Sequence, residues 1–126
     1  MEKNISLLKF KTGEIVWGID PCFVEEVMSV SSYKRNLFPI LDFMKMWSIP
    51  GEKLPYKKII FLKLPKSDEK LGILAHEVED IEEIPLDSLK KLPPIVQKKI
   101  LLDCVLGVSI LAESFCILLD CKKLVS

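Results

Sequence analysis

The hexapeptide FPILDF (residues 38–43) places a proline and a carboxylate inside an apolar run. Proline has no backbone N–H to donate to a sheet, so Pro39 is expected at the beginning of a strand or on a sheet edge. A carboxylate between leucine and phenylalanine, as in Asp42, must find hydrogen-bond donors or point outward. The pattern predicts a short strand ending at a tight corner, where backbone N–H groups released by the bend bind Asp42. We therefore expect structural roles for Pro39 and Asp42.

Short apolar segments separated by proline and glycine lie on both sides of this hexapeptide. Residues 5–20 are typical of two strands around a turn at Gly13, and KKIIFLKL (57–64) is typical of a further strand. Two more strands are expected to meet near residues 112–114, and the chain should end in a short helix. Many short strands with little helix favour a mainly β fold built from small barrels.

The segment LGILAHEVEDIEEI (71–84) leaves two interpretations open. Its later apolar residues, Val78, Ile81 and Ile84, are three apart, which suits a helix, but β-branched residues favour two short strands joined by a bend. The same segment carries five acidic residues, which form either a solvated face or a ridge that contacts a partner.

Composition limits the class of partner. The chain of 126 residues fits one compact domain, and its 18 basic and 18 acidic residues cancel. Nucleic acids and anionic membranes attract a basic excess, so neither is expected as a partner. The apolar stretch at residues 100–119 contains Asp103 and Glu113, which are costly in hydrocarbon, so no membrane insertion is expected. No apolar leader follows Met1, and a cytoplasmic location is expected.

The sequence offers little catalytic or metal-binding chemistry. Its four cysteines form no C-x-x-C pair and His76 is the only histidine, so no metal and no cofactor are expected, and the cysteines are expected to be small buried thiols. On a strand His76 and Glu77 face opposite sides, which argues against an acid–base pair. The protein is not expected to be an enzyme; a weak activity at His76 is the alternative, which substitution His76→Ala would test.

Four segments in order resemble the CheW-like domain, the adaptor module of bacterial chemosensory signalling. LLKFKTGEIVWGIDPCFVEEVM (7–28) is similar to the family's opening hairpin, and FPILDF to its Pro-Val-Ile-Asp-Leu strand. LGILAHEVEDIEEI is similar to its Gly-Leu-x-Val-Asp segment, and VLGVSILAESFCILLDCKKLV (105–125) to its closing hairpin and small helix.

The resemblance implies a mainly β fold of two small five-stranded SH3-like β-barrel subdomains packed together, with a short C-terminal helix. The first barrel is expected over residues 14–62. The second is expected over residues 63–126, completed by an N-terminal strand at residues 5–12.

The resemblance also implies a function: a non-enzymatic adaptor that couples the regulatory domain of a CheA-type histidine kinase to chemoreceptors or other partners. In FMKMW (43–47), an alternating strand would place Phe43 and Trp47 on one face and Met44 on the other, one facing the core and one facing a partner. We expect Phe43, Met44 and Trp47 as kinase contacts, with a purely core role as the alternative. Methionine suits an adaptable contact.

The chain departs from the family before the proline strand. The family's Asn-Leu-Arg-Gly positions are occupied by Ser32, Tyr33, Lys34 and Arg35, and the preceding loop is shorter. Lysine lacks the bidentate fork of arginine, and Arg35 replaces a glycine that would permit positive φ. Lys34 and Arg35 therefore predict a weakened contact with a methyl-accepting chemoreceptor. Two alternatives remain: a divergent interaction module outside chemotaxis and a small-molecule-binding sensory β domain.

Overall fold

The protein is mainly β, as the sequence predicts. The computed structural model describes residues 3–33, 38–46, 54–64, 68–90, 105–111 and 114–124. Its strands are β1 (Asn4–Thr12), β2 (Ile15–Ile19), β3 (Val24–Ser29), β4 (Ile40–Leu41), β5 (Lys58–Lys63), β6 (Lys70–Ala75), β7 (Glu77–Pro85), β8 (Leu89–Lys90), β9 (Val105–Leu111) and β10 (Ser114–Leu119). Its helices are α1 (Phe43–Met46) and the expected C-terminal helix α2 (Cys121–Leu124). Short 3₁₀ turns occupy Pro21–Phe23, Val30–Ser32 and Leu86–Ser88.

Two sheets organise these strands. The larger has the order β7-β1-β2-β10-β9-β8 and the smaller has the order β3-β5-β6-β4. The described strands therefore form one sheet of six strands and one of four, whereas five strands per barrel were expected. The difference arises because the tight β1–β2 hairpin keeps β2 in the larger sheet. The expected barrel boundaries stay a prediction, but pairing crosses them: β2, from the expected first barrel, pairs with β1 and β10, and β6, from the expected second, pairs with β4 and β5.

A glycine turn closes the first hairpin. Thr12 is opposite Ile15, so residues 13–14 connect the two strands, and Gly13 has a φ of 62°. A side chain at that φ would crowd the backbone, which glycine avoids. This turn brings the end of the larger sheet beside α1.

The chain passes from the smaller sheet to the larger one at His76. β6 ends at Ala75 and β7 begins at Glu77, so a single residue separates two strands that belong to different sheets. Of the two interpretations of this segment, the pair of strands with a bend is confirmed and the helix is wrong. The reason is that β7 pairs with β1 from Glu77 to Pro85, and this long ladder outweighs the threefold spacing of its apolar residues.

β1 contributes side chains to two apolar clusters. Leu8 and Phe10 face the central cluster, which also contains Trp17, Ile19, Phe43, Ile60, Leu62, Ile73, Ala75, Ile117, Leu119 and Cys121. Leu7 points to the opposite side and packs with Ile84 and Leu118. The indole N–H of the fully buried Trp17 donates to the Thr12 hydroxyl at 2.6 Å, so the polar groups at the centre are satisfied. In the part of the chain described here, no helix has the length and apolar character needed to cross a membrane.

The cysteines differ in exposure. Cys116 and Cys121 are buried as expected, and burial raises the pKa of each thiol to about 11, which keeps them protonated and unreactive at neutral pH. Cys22 is exposed, so the expectation of a buried thiol is wrong there. It lies in the exposed 3₁₀ turn that Asp20 caps by accepting from the Cys22 N–H at 2.9 Å. Cys104 lies outside the described residues.

Gly72 provides a test of how tightly the smaller sheet packs. A Cβ at this position would lie 3.0 Å from Ile59 Cγ2 and 3.2 Å from both Ile40 Cγ1 and Phe61 Cε1. We predict that Gly72→Ala lowers the free energy of unfolding by about 1–3 kcal/mol, measured by urea denaturation. Lys58→Ala, at an exposed position of β5, is the control and should lower the free energy of unfolding far less. An unchanged midpoint for Gly72→Ala would contradict the packing described.

Candidate functional site

His76 joins three segments at the junction between the sheets. Its Nδ1 accepts from the Gly13 N–H at 2.8 Å, and its Nε2 lies 2.9 Å from the Leu54 carbonyl oxygen. Because Nδ1 accepts, the ring proton is on Nε2, which donates to Leu54. The backbone N–H of His76 also donates to the Lys11 carbonyl at 2.8 Å. The hairpin turn, the Leu54 segment and the β6–β7 bend are thereby fixed to one another.

Tyr56 extends this junction toward α1. Its ring stacks on the His76 imidazole, with centroids 4.4 Å apart and an interplanar angle of 19°. Its hydroxyl donates to Asp42 Oδ1. Burial, together with this hydrogen bond to a carboxylate, raises the pKa of Tyr56 well above its ordinary value. The phenol therefore remains a donor throughout the physiological pH range.

Asp42 and Pro39 determine where the short strand begins and ends. Asp42 Oδ1 accepts from the Lys45 N–H at 3.2 Å, so the carboxylate satisfies a free N–H in the first turn of α1. Pro39 is exposed, and its carbonyl accepts from the Gly72 N–H at 2.9 Å beside the start of β4. These contacts support the structural roles expected for both residues.

The FMKMW segment does not form the expected alternating strand. Residues 43–46 form α1 instead, because the capping carboxylate of Asp42 starts a helical turn. Phe43 is fully buried, with its ring centroid 5.1 Å from that of Trp17 and 6.2 Å from that of Phe10. In this structure the Phe43 side chain lies in the central core and offers no surface to a partner, and the kinase contact expected of it stays a prediction.

The other two expected kinase contacts have different positions. Met44 is half-buried, and its Cε lies 3.4 Å from the place that a Cβ on Gly13 would occupy. The exposed part of Met44 is therefore located where α1 meets the hairpin turn. Trp47 lies outside the described residues. Leu54, whose carbonyl binds His76, has a side chain 59% exposed, so apolar surface continues near this junction.

The expected receptor contacts, Lys34 and Arg35, also lie outside the described residues, but the chain on either side of them is well anchored. The ring centroids of Tyr33 and Phe38 lie 5.4 Å and 6.0 Å from that of the buried Phe61. The Phe38 N–H donates to the Tyr33 hydroxyl at 3.1 Å. Tyr33 and Phe38 thus both pack against β5.

Both ring nitrogens of His76 bind backbone groups, Nδ1 that of Gly13 and Nε2 that of Leu54. A weak activity at His76 stays an alternative, which His76→Ala would test. The neighbouring Glu77 and Glu79 lie 3.9 Å and 3.6 Å from the Lys11 ammonium. Within the described ranges, no three His, Cys, Asp or Glu residues come together in a way that could hold a metal.

Some features of this surface have no clear signal in the sequence. Tyr56 follows a loop rich in proline and glycine, and nothing in its neighbourhood predicts a contact with the distant Asp42 and His76. Exposed apolar residues were expected in FMKMW, whereas the large ones found in the described chain are Val27, Leu54, Ile81 and Leu86. Of these four residues, Ile81 has the clearest signal in the sequence, because its neighbours along the chain are acidic.

Comparisons with known proteins agree on one family. A family model described as the CheW-like domain matches residues 11–126. A crystal structure of the scaffolding protein TtCheW from Thermoanaerobacter tengcongensis superposes with a TM-score of 0.74 and 19% sequence identity, covering 93% of this chain and 84% of that chain. No curated protein gives a significant sequence match. The structural likeness confirms the predicted fold of two SH3-like subdomains.

Substitutions of His76 can separate its two ring hydrogen bonds. Asparagine can place an acceptor near the Nδ1 position, and glutamine can place a donor near the Nε2 position. We predict that His76→Ala loses about 1–3 kcal/mol of unfolding free energy. His76→Asn should retain more stability than His76→Gln, because the Gly13 N–H is partly buried whereas the Leu54 contact is exposed. Urea denaturation ranks the variants, and the reverse order would contradict the greater contribution assigned to the Gly13 hydrogen bond.

The raised pKa of Tyr56 predicts that the free energy of unfolding depends on pH. Its pKa is raised in the folded protein, so its contribution is complete below the unfolded-state pKa of about 10 and is lost as pH rises further toward the folded-state value. We predict that unfolding free energy falls more steeply with pH in the parent than in Tyr56→Phe above about pH 10. Denaturation at a series of alkaline pH values measures the difference, and parallel curves would contradict the raised pKa.

Proposed function

Because the chain belongs to the family of CheW-like domains, we propose that it is a non-enzymatic scaffold that couples a CheA-type histidine kinase to chemoreceptors or other partners. The observation that carries this proposal is the family match over residues 11–126. The β-subdomain architecture, shared with a protein described as scaffolding, is consistent with it. The proposed location is the cytoplasm, where the protein would bind such a kinase.

The proposed kinase surface is centred on the junction between the sheets. Met44 supplies an apolar side chain that packs beside the Gly13 turn, and Leu54 adds an exposed apolar side chain on backbone that His76 holds through the Leu54 carbonyl. Trp47 follows α1 in the chain and remains part of the proposal. Apolar side chains held in fixed positions are suitable anchors, because little conformational entropy is lost when they bind a partner.

The proposed receptor surface is the segment with Lys34 and Arg35. Tyr33 and Phe38, which precede and follow this segment in the chain, both pack on Phe61. A lysine in place of arginine supports a weaker contact with a methyl-accepting chemoreceptor. This weakening favours a second candidate, a CheW-like interaction module that acts outside chemotaxis. A sensory domain for small molecules has no comparable support from the described residues.

Direct binding tests the kinase part of the proposal. The purified protein is titrated by calorimetry with the regulatory domain of the CheA-type kinase from the same organism. We predict that Met44→Ala weakens binding about tenfold or more, as expected when an interface anchor is truncated. Lys34→Ala is the matched control and should bind like the parent, because its site is proposed to contact the receptor instead.

Phe43→Ala shows how a change in the core differs from a change at the surface. Truncating this buried ring should cost about 3–5 kcal/mol of stability, so any loss of binding must be compared with the loss of folded protein. If the folded parent fails to bind the kinase domain at high concentration, the coupling role is wrong although the family assignment stands. If Met44→Ala and the parent bind the kinase domain with equal affinity, the kinase contact does not include α1.

A further inference from the structure

β7 forms one end of the larger sheet. It is nine residues long, and β1 is the strand that pairs with it; in the sheet order of the described chain no strand lies on its other side. An outer edge of this length presents alternating backbone N–H and C=O groups that can accept another strand. Strand addition of this kind is a common way of binding an extended segment.

The outward surface of β7 has an apolar centre. Ile81 is 59% exposed, although its partner across the strand pair, Leu8, is buried in the central core. An added strand would place a side chain opposite Ile81, at about 4.5–5.5 Å between Cβ atoms, and would cover this surface. Exposed apolar residues on an open edge provide both backbone and side-chain contacts for an incoming strand.

The charges of β7 determine which strand it can accept. All of its charged residues are acidic: Glu77, Glu79, Asp80, Glu82 and Glu83. Lys9 lies 2.9 Å from Glu82, and Lys11 neighbours two of the others. Among the described residues, Asp80 and Glu83 have no cation within ion-pair distance, so these two acidic side chains near Ile81 differ from Glu82, which pairs with Lys9. A second copy of β7 would bring like charges together, whereas a basic strand would neutralise them.

β3 shows that these charges are not a general property of the exposed edges. It is an end strand of the smaller sheet, and Val27 is 41% exposed on it. Its two acidic residues, Glu25 and Glu26, already pair with lysines of that sheet at 4.0 Å and 2.8 Å. The edge of β3 therefore offers apolar surface without the excess of negative charge found on β7.

We propose that β7 is a docking edge on which an extended, lysine- or arginine-rich segment of a partner protein adds as a further strand of the larger sheet. This surface is separate from the kinase and receptor surfaces proposed above, and it does not depend on either of them. Ile81 supplies the apolar contact, Asp80 and Glu83 select a basic segment, and the backbone of β7 supplies the hydrogen bonds.

The test uses a synthetic peptide in which lysine and valine alternate, because such a strand has one basic and one apolar face. A control peptide of equal charge has proline in place of the valines, so every second residue lacks an N–H and the peptide cannot form a regular strand. Amide hydrogen exchange of β7 is followed by NMR with and without each peptide, and affinity is measured by fluorescence anisotropy. Ile81→Thr and the double variant Asp80→Lys/Glu83→Lys are compared with Val27→Thr, which makes a matched change on β3.

The expected result is rapid exchange of outward β7 amides in the free protein and their protection by the lysine–valine peptide. The double variant Asp80→Lys/Glu83→Lys should weaken binding about tenfold, because it replaces two attractions for the basic peptide by repulsions. Ile81→Thr should also weaken binding, whereas Val27→Thr should not. Slow exchange in the free protein would overturn the proposal, because the edge would then be covered by the chain itself. Equal binding of the proline peptide, or no binding of either peptide, would also overturn it.

Discussion

The hydrogen bonds of His76 are the constraint on which the arrangement of the two sheets depends. The strand that leaves the smaller sheet at Ala75 enters the larger one at Glu77, so only one residue accommodates the change of direction. At that residue the backbone binds Lys11 and the imidazole binds Gly13 and Leu54. A bend that makes hydrogen bonds to three other residues has few alternative conformations, because any change of direction breaks several bonds together.

The same constraint positions the apolar surface that we assign to partner binding. Tyr56 stacks on the imidazole of His76 and binds Asp42, and Asp42 caps the single turn of α1. That turn directs Phe43 into the core and leaves Met44 half-exposed beside the hairpin. A helix of four residues has little stability of its own. Its position therefore depends on the cap at one end and on the buried aromatic ring at its first residue.

The sequence was sufficient for the fold because the signals for strands and turns are local. The glycine turn at Gly13, the short strand after Pro39 and the closing hairpin before α2 all depend on residues close together in the chain. The functional surface was predicted less well, because it depends on distant contacts. The segment after Asp42 was expected as a strand, but it forms a helical turn that Asp42 caps, and Phe43 at the start of that turn is buried.

Asp42 shows the limit of such reasoning most clearly. Its need for hydrogen-bond donors could be inferred from its apolar neighbours, and one donor, the Lys45 N–H, is local. The other, Tyr56, is fourteen residues away along the chain and is held in place by a histidine twenty residues further on, which no local pattern encodes.

The edge strands β3 and β7 differ in how their acidic side chains are paired. On β3, lysines from neighbouring strands compensate the acidic side chains, so the edge is protected without a strong preference for the charge of a partner. On β7, the lysines of β1 lie beside some of the acidic residues and leave the region around Ile81 negative. A protein that connects several partners must avoid pairing with its own copies, and uniform charge on an open edge prevents that at little cost in stability. The same charge attracts a segment of opposite sign, so protection against self-association and selectivity for a basic partner have one physical origin.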